Sequence, residues 1–318
     1  MFLSLLIFLS CIAISKTARL SDFAAMEVEI GKEVLGPDLG QAQAGVDQAT
    51  IQKILDGVKM GNRESIYFYA LYKLHGIGLS KNQTIAALNF ERAAGLGHKE
   101  ATTAAGVLRL HGQGIEKDHG IALNYFRKAV ALGDINAHWF LGKCLFEGLG
   151  VLEPQHDEAY QHFSLAASHD VPQAEHYLGI MHEYGLGTLQ SFERAFEFYK
   201  RASGQHHVES TYHLALMHAF GRGTPQNFKA AAALFDNGAR NNHAPSVYYM
   251  GIVKLYGYGC EPNYEQAVNW FERAAGMGDL RVENEASSAR DETKRLMAEA
   301  ETAHQRVIDS FDTRNSVP

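Results

Sequence analysis

The sequence is poor in cysteine and proline. Its 318 residues include only three cysteines and seven prolines. A small secreted domain that depends on disulfides contains many more cysteines, so the sequence excludes that class of protein. Cys144 reads as a small buried apolar residue, and Cys260 falls in a distant loop. We therefore expect no disulfide between them.

Basic charge and long apolar runs are also scarce. Lys and Arg number 29 against 36 Asp and Glu, which gives a net charge of −7. A nucleic-acid-binding face is normally basic, so we expect no nucleic-acid partner. No stretch after the N-terminal segment reaches the roughly 20 apolar residues of a membrane helix, so we expect no transmembrane helix in the mature chain.

Motifs that carry chemistry are absent from the sequence. It contains no Gly-x-Ser-x-Gly, Walker or Rossmann motif, which predicts a protein that is not an enzyme and has no catalytic residues and no cofactor. It also contains no His-Glu-x-x-His or Cys-x-x-Cys. His182 and His218 stand at equivalent positions of neighbouring repeats, and we predict no metal site even there.

Glycine, in contrast, is abundant and regularly spaced. Six Gly-x-Gly motifs recur every 36 or 37 residues and begin at Gly76, Gly112, Gly148, Gly185, Gly221 and Gly257. We use the first glycine of each motif as the reference position of its repeat. A constant period of this size predicts a solenoid of stacked supersecondary units.

Each period predicts two helices, which we call A and B. Helix A carries small residues six positions before the reference glycine, at Ala70, Gly106, Gly142, Gly179, Ala215 and Gly251. The glycine motif then ends helix A. Helix B carries an aromatic residue in every repeat, at Phe90, Phe126, Phe163, Tyr199, Phe235 and Phe271. It is preceded by an N-cap type of residue in five of six repeats, the exception being Gln155.

The ends of the chain differ from its repeats. Residues 1–15 form an apolar run that ends in small residues, which predicts a signal peptide and hence the secretory pathway. We expect a loosely ordered leader at 16–46, an N-terminal capping helix at 47–61 and the six repeats at 62–279. A polar C-terminal capping helix at 280–309 and a tail at 310–318 complete the predicted organisation.

The repeat resembles that of a known family. The pattern small-x(4)-small-x(5)-Gly-x-Gly, followed by Ala-x(3)-aromatic-x(2)-Ala-Ala, is similar to the Sel-1-like repeat, a relative of the tetratricopeptide repeat. The resemblance implies an all-α solenoid of helix-turn-helix repeats wound into a right-handed superhelix. It also implies a non-catalytic scaffold or adaptor that binds protein or peptide partners, with the A helices on the concave face.

One segment narrows this expectation. Residues 159–200 are similar to the middle repeats of family members that serve as the lumenal scaffold of the ubiquitin ligase in ER-associated degradation. This resemblance implies protein quality control in the ER lumen, with an ER membrane ubiquitin-ligase complex or misfolded glycoproteins as partners. The alternatives are an extracellular interaction factor and a secreted relative with β-lactam-binding or hydrolase activity. That last branch commonly carries a cysteine pair in each repeat, and no repeat here has one.

Two positions beside the reference glycine vary in chemistry. Three residues before it lie Lys73, Arg109, Leu145, His182, His218 and Lys254, which we call the ladder. The ladder is either a basic stripe for an acidic peptide or a set of long side chains in the seam between helices. One residue before the reference glycine, Tyr184, Phe220 and Tyr256 are either exposed interface anchors or packing residues.

Asn82 has two interpretations. Asn82-Gln83-Thr84 is an N-glycosylation sequon, which predicts a surface position in a secreted protein. Asn82 also stands at the N-cap position of helix B in the first repeat. We expect the ER lumen as the location of the protein, with secretion as the alternative.

Overall fold

The computed structural model describes residues 47–315, and the side-chain burial of residues 47–303. The signal peptide predicted at 1–15 and the leader predicted at 16–46 lie outside the described residues. Between residues 47 and 315 the chain forms α-helices and no strand. The predicted all-α solenoid of helix pairs is confirmed.

The chain divides into two compact units, and the first ends at Val171. Its first described helix is α1 (Gln48–Lys59). Three A and B pairs follow, and these are repeats 1 to 3: α2 (Arg63–His75) with α3 (Gln83–Gly95), α4 (Lys99–His111) with α5 (His119–Ala131), and α6 (Ile135–Glu147) with α7 (His156–Ala167). Each helix of this unit packs against the next along the chain.

The second unit begins at Pro172. It contains the pairs of repeats 4 to 6: α8 (Pro172–Tyr184) with α9 (Phe192–Gly204), α10 (Val208–Phe220) with α11 (Phe228–Arg240), and α12 (Ala244–Tyr256) with α13 (Tyr264–Ala275). The last helix, α14 (Glu283–Asn315), packs against α13. It continues into the segment that the sequence predicts to be a tail.

The helix ends follow the sequence signals. Every reference glycine has a left-handed backbone, with φ between 66° and 75°. The B helices begin at the predicted caps, whose side chains accept a backbone N–H, except at Gln155. A second left-handed residue follows each B helix, and in three repeats it is Asp170, His206 or Asn242 rather than glycine. These residue types tolerate the left-handed region better than most.

The aromatic residue of each B helix is buried against its own A helix. A Cβ atom added to Gly106 would lie 2.6 Å from Cε1 of Phe126, and the other repeats with glycine at this position show the same approach. The ring also reaches the next repeat, since Phe126 stacks on Phe140 with ring centroids 5.3 Å apart. One aromatic residue therefore joins the two helices of a repeat and the next A helix.

The second glycine of each motif has a role that its sequence position did not reveal. A Cβ atom at Gly114 would lie 2.3 Å from the carbonyl oxygen of Gln83, in the first turn of the preceding B helix. Gly223 approaches Phe192, and Gly259 approaches Phe228, in the same way. In repeats 2, 3, 5 and 6 the loop between A and B therefore rests on backbone of the preceding repeat, at a distance that only glycine permits.

Within residues 47–315, none of the helices is both long enough and apolar enough to cross a bilayer.

Candidate interaction surface

In the first unit, the ladder side chains contact other groups of the same unit. Lys73 Nζ lies 3.3 Å from the carbonyl oxygen of Ser80, in the loop that follows α2. The Arg109 guanidinium forms an ion pair with Glu91 on α3 at 2.8 Å. Leu145 is fully buried. The charge of Arg109 is therefore balanced within the protein.

In the second unit, both ladder histidines pack against aromatic rings. His182 is buried, donates from Nδ1 to the carbonyl oxygen of Leu189 at 3.3 Å, and stacks on Phe198. The ring of His218 meets the ring of Phe196 edge-on, with centroids 5.2 Å apart. Burial lowers the pKa of both histidines, so both are neutral near pH 7. Lys254 is half-buried.

In the second unit, the position just before the reference glycine is more exposed to solvent than the position of the ladder histidines. Tyr184 is 50% exposed, and Phe220 and Tyr256 are half-buried. In the first unit the same position carries His75, His111 and Glu147 instead. Aromatic residues at this position are thus a feature of the second unit.

Phe220 and Tyr256 belong to a larger aromatic surface at the loops between A and B. Six partly exposed residues, which we call the aromatic edge, form it: Phe192, Phe220, Arg222, Phe228, Tyr256 and Tyr258. The Arg222 guanidinium lies over two rings, 5.8 Å from the centroid of Phe192 and 5.4 Å from that of Phe220. Tyr258 stacks on Phe228 at 4.8 Å.

The close approach of the second glycine explains this arrangement. Because Gly223 and Gly259 rest on the first turns of α9 and α11, the residues beside them come over Phe192 and Phe228. The sequence contained a signal for this surface. The first residue of the B helix is aromatic in repeats 4 to 6, at Phe192, Phe228 and Tyr264, but Gln83, His119 and His156 stand there in repeats 1 to 3.

A buried carboxylate forms an ion pair with Arg222. Glu183 is buried at a position where the other repeats carry Leu74, Leu110, Phe146, Ala219 and Leu255. Its carboxylate accepts a hydrogen bond of 2.9 Å from the Tyr199 hydroxyl and lies 3.4 Å from Nη1 of Arg222. Nδ1 of His213 lies 3.7 Å from the same carboxylate.

The electrostatics of this group favour an ionised carboxylate. Burial alone would raise the pKa of Glu183, but His213, the Tyr199 hydroxyl and Arg222 together hold that pKa below its usual value. The pKa of the buried Tyr199 hydroxyl is raised, first by desolvation and then by the carboxylate. Tyr199 therefore stays protonated and donates its hydrogen bond.

Asn82 is exposed and caps α3. Its Oδ1 accepts the backbone N–H of Ile85 at 2.9 Å. A glycan would be attached to Nδ2, so the cap and the sequon use different atoms of the side chain. The two interpretations of Asn82 are therefore compatible.

Within the described part of the chain, no group of three or more His, Cys, Asp or Glu is arranged to hold a metal ion. Cys144 is buried and Cys260 partly exposed, and both are free thiols. Burial raises the pKa of Cys144 to about 12.

The paired helices and their repeat of 36 or 37 residues define the class, an α-helical repeat protein of the solenoid type. The protein belongs to the Sel1 repeat family. The family profile matches six consecutive segments, at residues 63–98, 99–134, 135–171, 172–207, 208–243 and 244–279. Sel1 repeat proteins generally mediate protein–protein interactions and are typically non-catalytic scaffolds.

Solved structures share this fold. A Sel1 repeat protein from Oxalobacter formigenes is 26% identical, with a TM-score of 0.63 over 67% of this chain and 85% of that chain. A protective antigen of uropathogenic Escherichia coli is 23% identical, with a TM-score of 0.63 over 72% of this chain. The match covers 49% of the antigen, so this chain spans about half its length. The comparison with curated proteins found no match.

Proposed function

We propose that this protein is a non-catalytic scaffold or adaptor that binds a protein partner through the aromatic edge. The observation that carries the proposal is the buried group of Glu183, Tyr199 and His213, which holds Arg222 over two aromatic rings. Arginine and aromatic residues dominate the binding energy of protein interfaces, so this surface has the chemistry of an interface centre.

Stability alone is a weak explanation for the Glu183 group. The equivalent pair of positions is Leu74 with Phe90 in repeat 1 and Leu255 with Phe271 in repeat 6. Burying a charge network generally stabilises a protein no more than well-packed apolar residues of similar size. A polar group at this one place therefore fits a role in positioning Arg222 for a partner.

The charge balance suggests what the partner offers. Glu183 neutralises Arg222, Glu91 neutralises Arg109, and the ladder histidines are neutral near pH 7, so the ladder retains only two cations, Lys73 and Lys254, in different units of the chain. We therefore assign the contact surface to the aromatic edge and to Tyr184, rather than to a basic stripe along the ladder. The partner segment that suits this surface carries apolar side chains around a hydrogen-bond acceptor for Arg222.

Photo-crosslinking tests the surface. A photoreactive amino acid at Tyr256 should crosslink to a partner protein, whereas the same amino acid at Phe68, an exposed aromatic residue of the first unit, should not. Arg222→Ala should abolish the crosslink. The matched control is Gln113→Ala, the position that follows the reference glycine in repeat 2. Equal crosslinking from both sites, or no effect of Arg222→Ala, overturns the proposal.

We further propose that this binding takes place in the secretory pathway, in protein quality control of the ER lumen. The apolar segment at 1–15, the sequon at Asn82 and the similarity of residues 159–200 to ER scaffold repeats support it. The partners are then an ER membrane ubiquitin-ligase complex or misfolded glycoproteins.

Affinity purification from ER membranes tests the location and the partner class. We expect cleavage of the N-terminal segment, a glycosidase-sensitive mass shift that Asn82→Gln removes, and recovery of a membrane ligase component. Recovery of none discards the quality-control role, while the crosslinking experiment still decides the interaction function. Asp118→Asn, which changes a B-helix cap outside a sequon, is the control for Asn82→Gln.

A further inference from the structure

Neighbouring A helices in these repeats meet through one recurring pair of residues. The first member lies nine residues before the reference glycine, and the second is the N-cap of the next A helix. Tyr67 stacks on His98 at 4.3 Å, Thr103 donates a hydrogen bond to Asp134, and Tyr212 contacts His243 at 5.2 Å. Between repeats 4 and 5, both members are histidine: His176 and His207, with ring centroids 4.8 Å apart.

The hydrogen bonds at this pair require a neutral His207. As the N-cap of α10, His207 accepts the backbone N–H of Ser210 on its Nδ1 at 3.2 Å. The Ser210 hydroxyl lies 2.9 Å from the same Nδ1 and 3.0 Å from Nδ1 of His176. A proton on Nδ1 of His207 would meet the N–H of Ser210, so the cap cannot survive protonation at that atom.

In the other histidine caps a carboxylate accepts the Nε2–H, which leaves Nδ1 as the acceptor of the cap. Nε2 of His98 lies 2.9 Å from Glu64, and Nε2 of His243 lies 2.8 Å from Glu209. Both glutamates occupy the same position of the preceding repeat. At the joint between repeats 4 and 5 that position holds Gln173, which is neutral.

The charged groups around the two histidines come from three helices. His176 on α8 faces His207, and both face Glu209 and His213 on α10 and His243 at the start of α12. Glu209 itself pairs with His243 and Arg281, and His213 with Glu183. Burial lowers the pKa of His207 to about 4, and burial with the neighbouring histidines lowers that of His176 well below its usual value.

We propose that the contact between repeats 4 and 5 is an acid-sensitive joint, in which proton uptake by His207 and His176 releases the first turn of α10 from α8. The joint opens as pH falls, because the unfolded histidines bind protons near pH 6.5 and the folded ones do so only at lower pH. Its stability is complete above pH 6.5 and is lost progressively as pH falls through the folded pKa.

Opening of this joint would also displace residues that contact the aromatic edge. α10 carries His213, which contacts Glu183, and it ends at Phe220, beside Arg222. Release of a bound partner in acid follows from the joint together with the proposed function, whereas the opening of α10 does not depend on that function.

Hydrogen exchange of the full chain tests the joint directly. After correction for intrinsic rates, exchange at the first turn of α10 should rise roughly 10- to 100-fold between pH 6.5 and pH 4.5. The first turn of α6, which Asp134 caps, is the internal control and should change little. No rise at α10, or an equal rise at α6, overturns the proposal.

Two variants separate the histidine joint from general acid unfolding. His176→Thr with His207→Asp reproduces the Thr103 and Asp134 pair. This double variant should remove the rise in hydrogen exchange at α10 between pH 6.5 and pH 4.5. Gln173→Glu supplies the carboxylate that His98 and His243 already have, and should reduce the rise while retaining both histidines. If the double variant fails to fold, Gln173→Glu still decides, because an unchanged rise in that variant contradicts the proposal.

Discussion

A Cβ atom at Gly142 would lie 2.8 Å from Cε1 of Phe163, so the third A helix touches its B helix through a glycine with no room for a methyl group. The ring of Phe163 is fully buried and contacts Phe146 and Trp139 on the A helix of its own repeat. The ring therefore has little freedom to move aside.

Gly142→Ala should destabilise the protein for this reason. Forcing an extra methyl group into a packed core costs about 1–3 kcal/mol, measured as the loss in free energy of unfolding in urea. The control is Gly95→Ala, a helical glycine of α3 with open space around it, which should gain about 0.5–1 kcal/mol from helix propensity. A neutral Gly142→Ala would show that Phe163 can shift.

The second glycine of the motif can be tested with a matched pair. Gly114 and Gly133 both have a left-handed backbone, with φ of 70° and 80°. Only Gly114 approaches other backbone closely. Gly133→Ala should cost about 1 kcal/mol from backbone strain. Gly114→Ala should cost about 1–3 kcal/mol more, since its methyl group meets the first turn of α3. Equal losses in free energy of unfolding for the two variants, measured by urea denaturation, would contradict the close contact between Gly114 and α3.

A double-mutant cycle tests the Glu183 group. Glu183→Leu alone leaves the buried Tyr199 hydroxyl without its acceptor, which should cost about 1–3 kcal/mol. Glu183→Leu with Tyr199→Phe recreates the Leu and Phe residues of repeats 1, 2 and 6, and should restore stability to within about 1 kcal/mol of the wild type. Thermal unfolding measures the stabilities.

The same double variant separates stability from function. It should fold normally but lose the Tyr256 crosslink, because Arg222 no longer has its supporting carboxylate. A double variant as unstable as Glu183→Leu would mean that the polar group has no apolar substitute. A stable double variant that still crosslinks would show that the partner does not need the group.

The repeat fold could be predicted because each structural requirement recurs six times. Glycines that end the A helices, caps such as Asn82 and rings such as Phe126 stand in equivalent positions, so a pattern that is weak in one repeat becomes clear across all of them. The left-handed residues Asp170 and His206 were recognisable for the same reason, since glycine occupies their position in other repeats.

The candidate surface could be predicted only in part, because its features occur once. Glu183 is a single carboxylate at an apolar position, and the sequence does not indicate that Tyr199 and His213 enclose it. For the ladder, the sequence leaves a basic stripe and seam side chains as alternatives, because spacing along a helix cannot show which groups contact a side chain. The structure brings Leu189 to His182 and Glu91 to Arg109.

The two cysteines of the repeats should differ strongly in reactivity. Cys260 is partly exposed, whereas Cys144 is buried and has a pKa of about 12. Only the thiolate reacts with thiol reagents, so Cys260 should be labelled in the native protein at pH 8 and Cys144 only after unfolding. Mass spectrometry of a Cys11→Ser background, with Cys260→Ser as the control, measures this. Rapid native labelling of Cys144 would mean that α6 opens readily.

In the first unit, each glycine loop packs on a helix that precedes it in the sequence. Gly78 rests on Ile51 of α1, Gly114 on the start of α3, and Gly150 on the start of α5. Each of these loops therefore packs on residues that precede it in the sequence. During translation these residues have been synthesised before the loop itself. During synthesis the first unit can assemble one repeat at a time, in the order of translation, with α1 as its template.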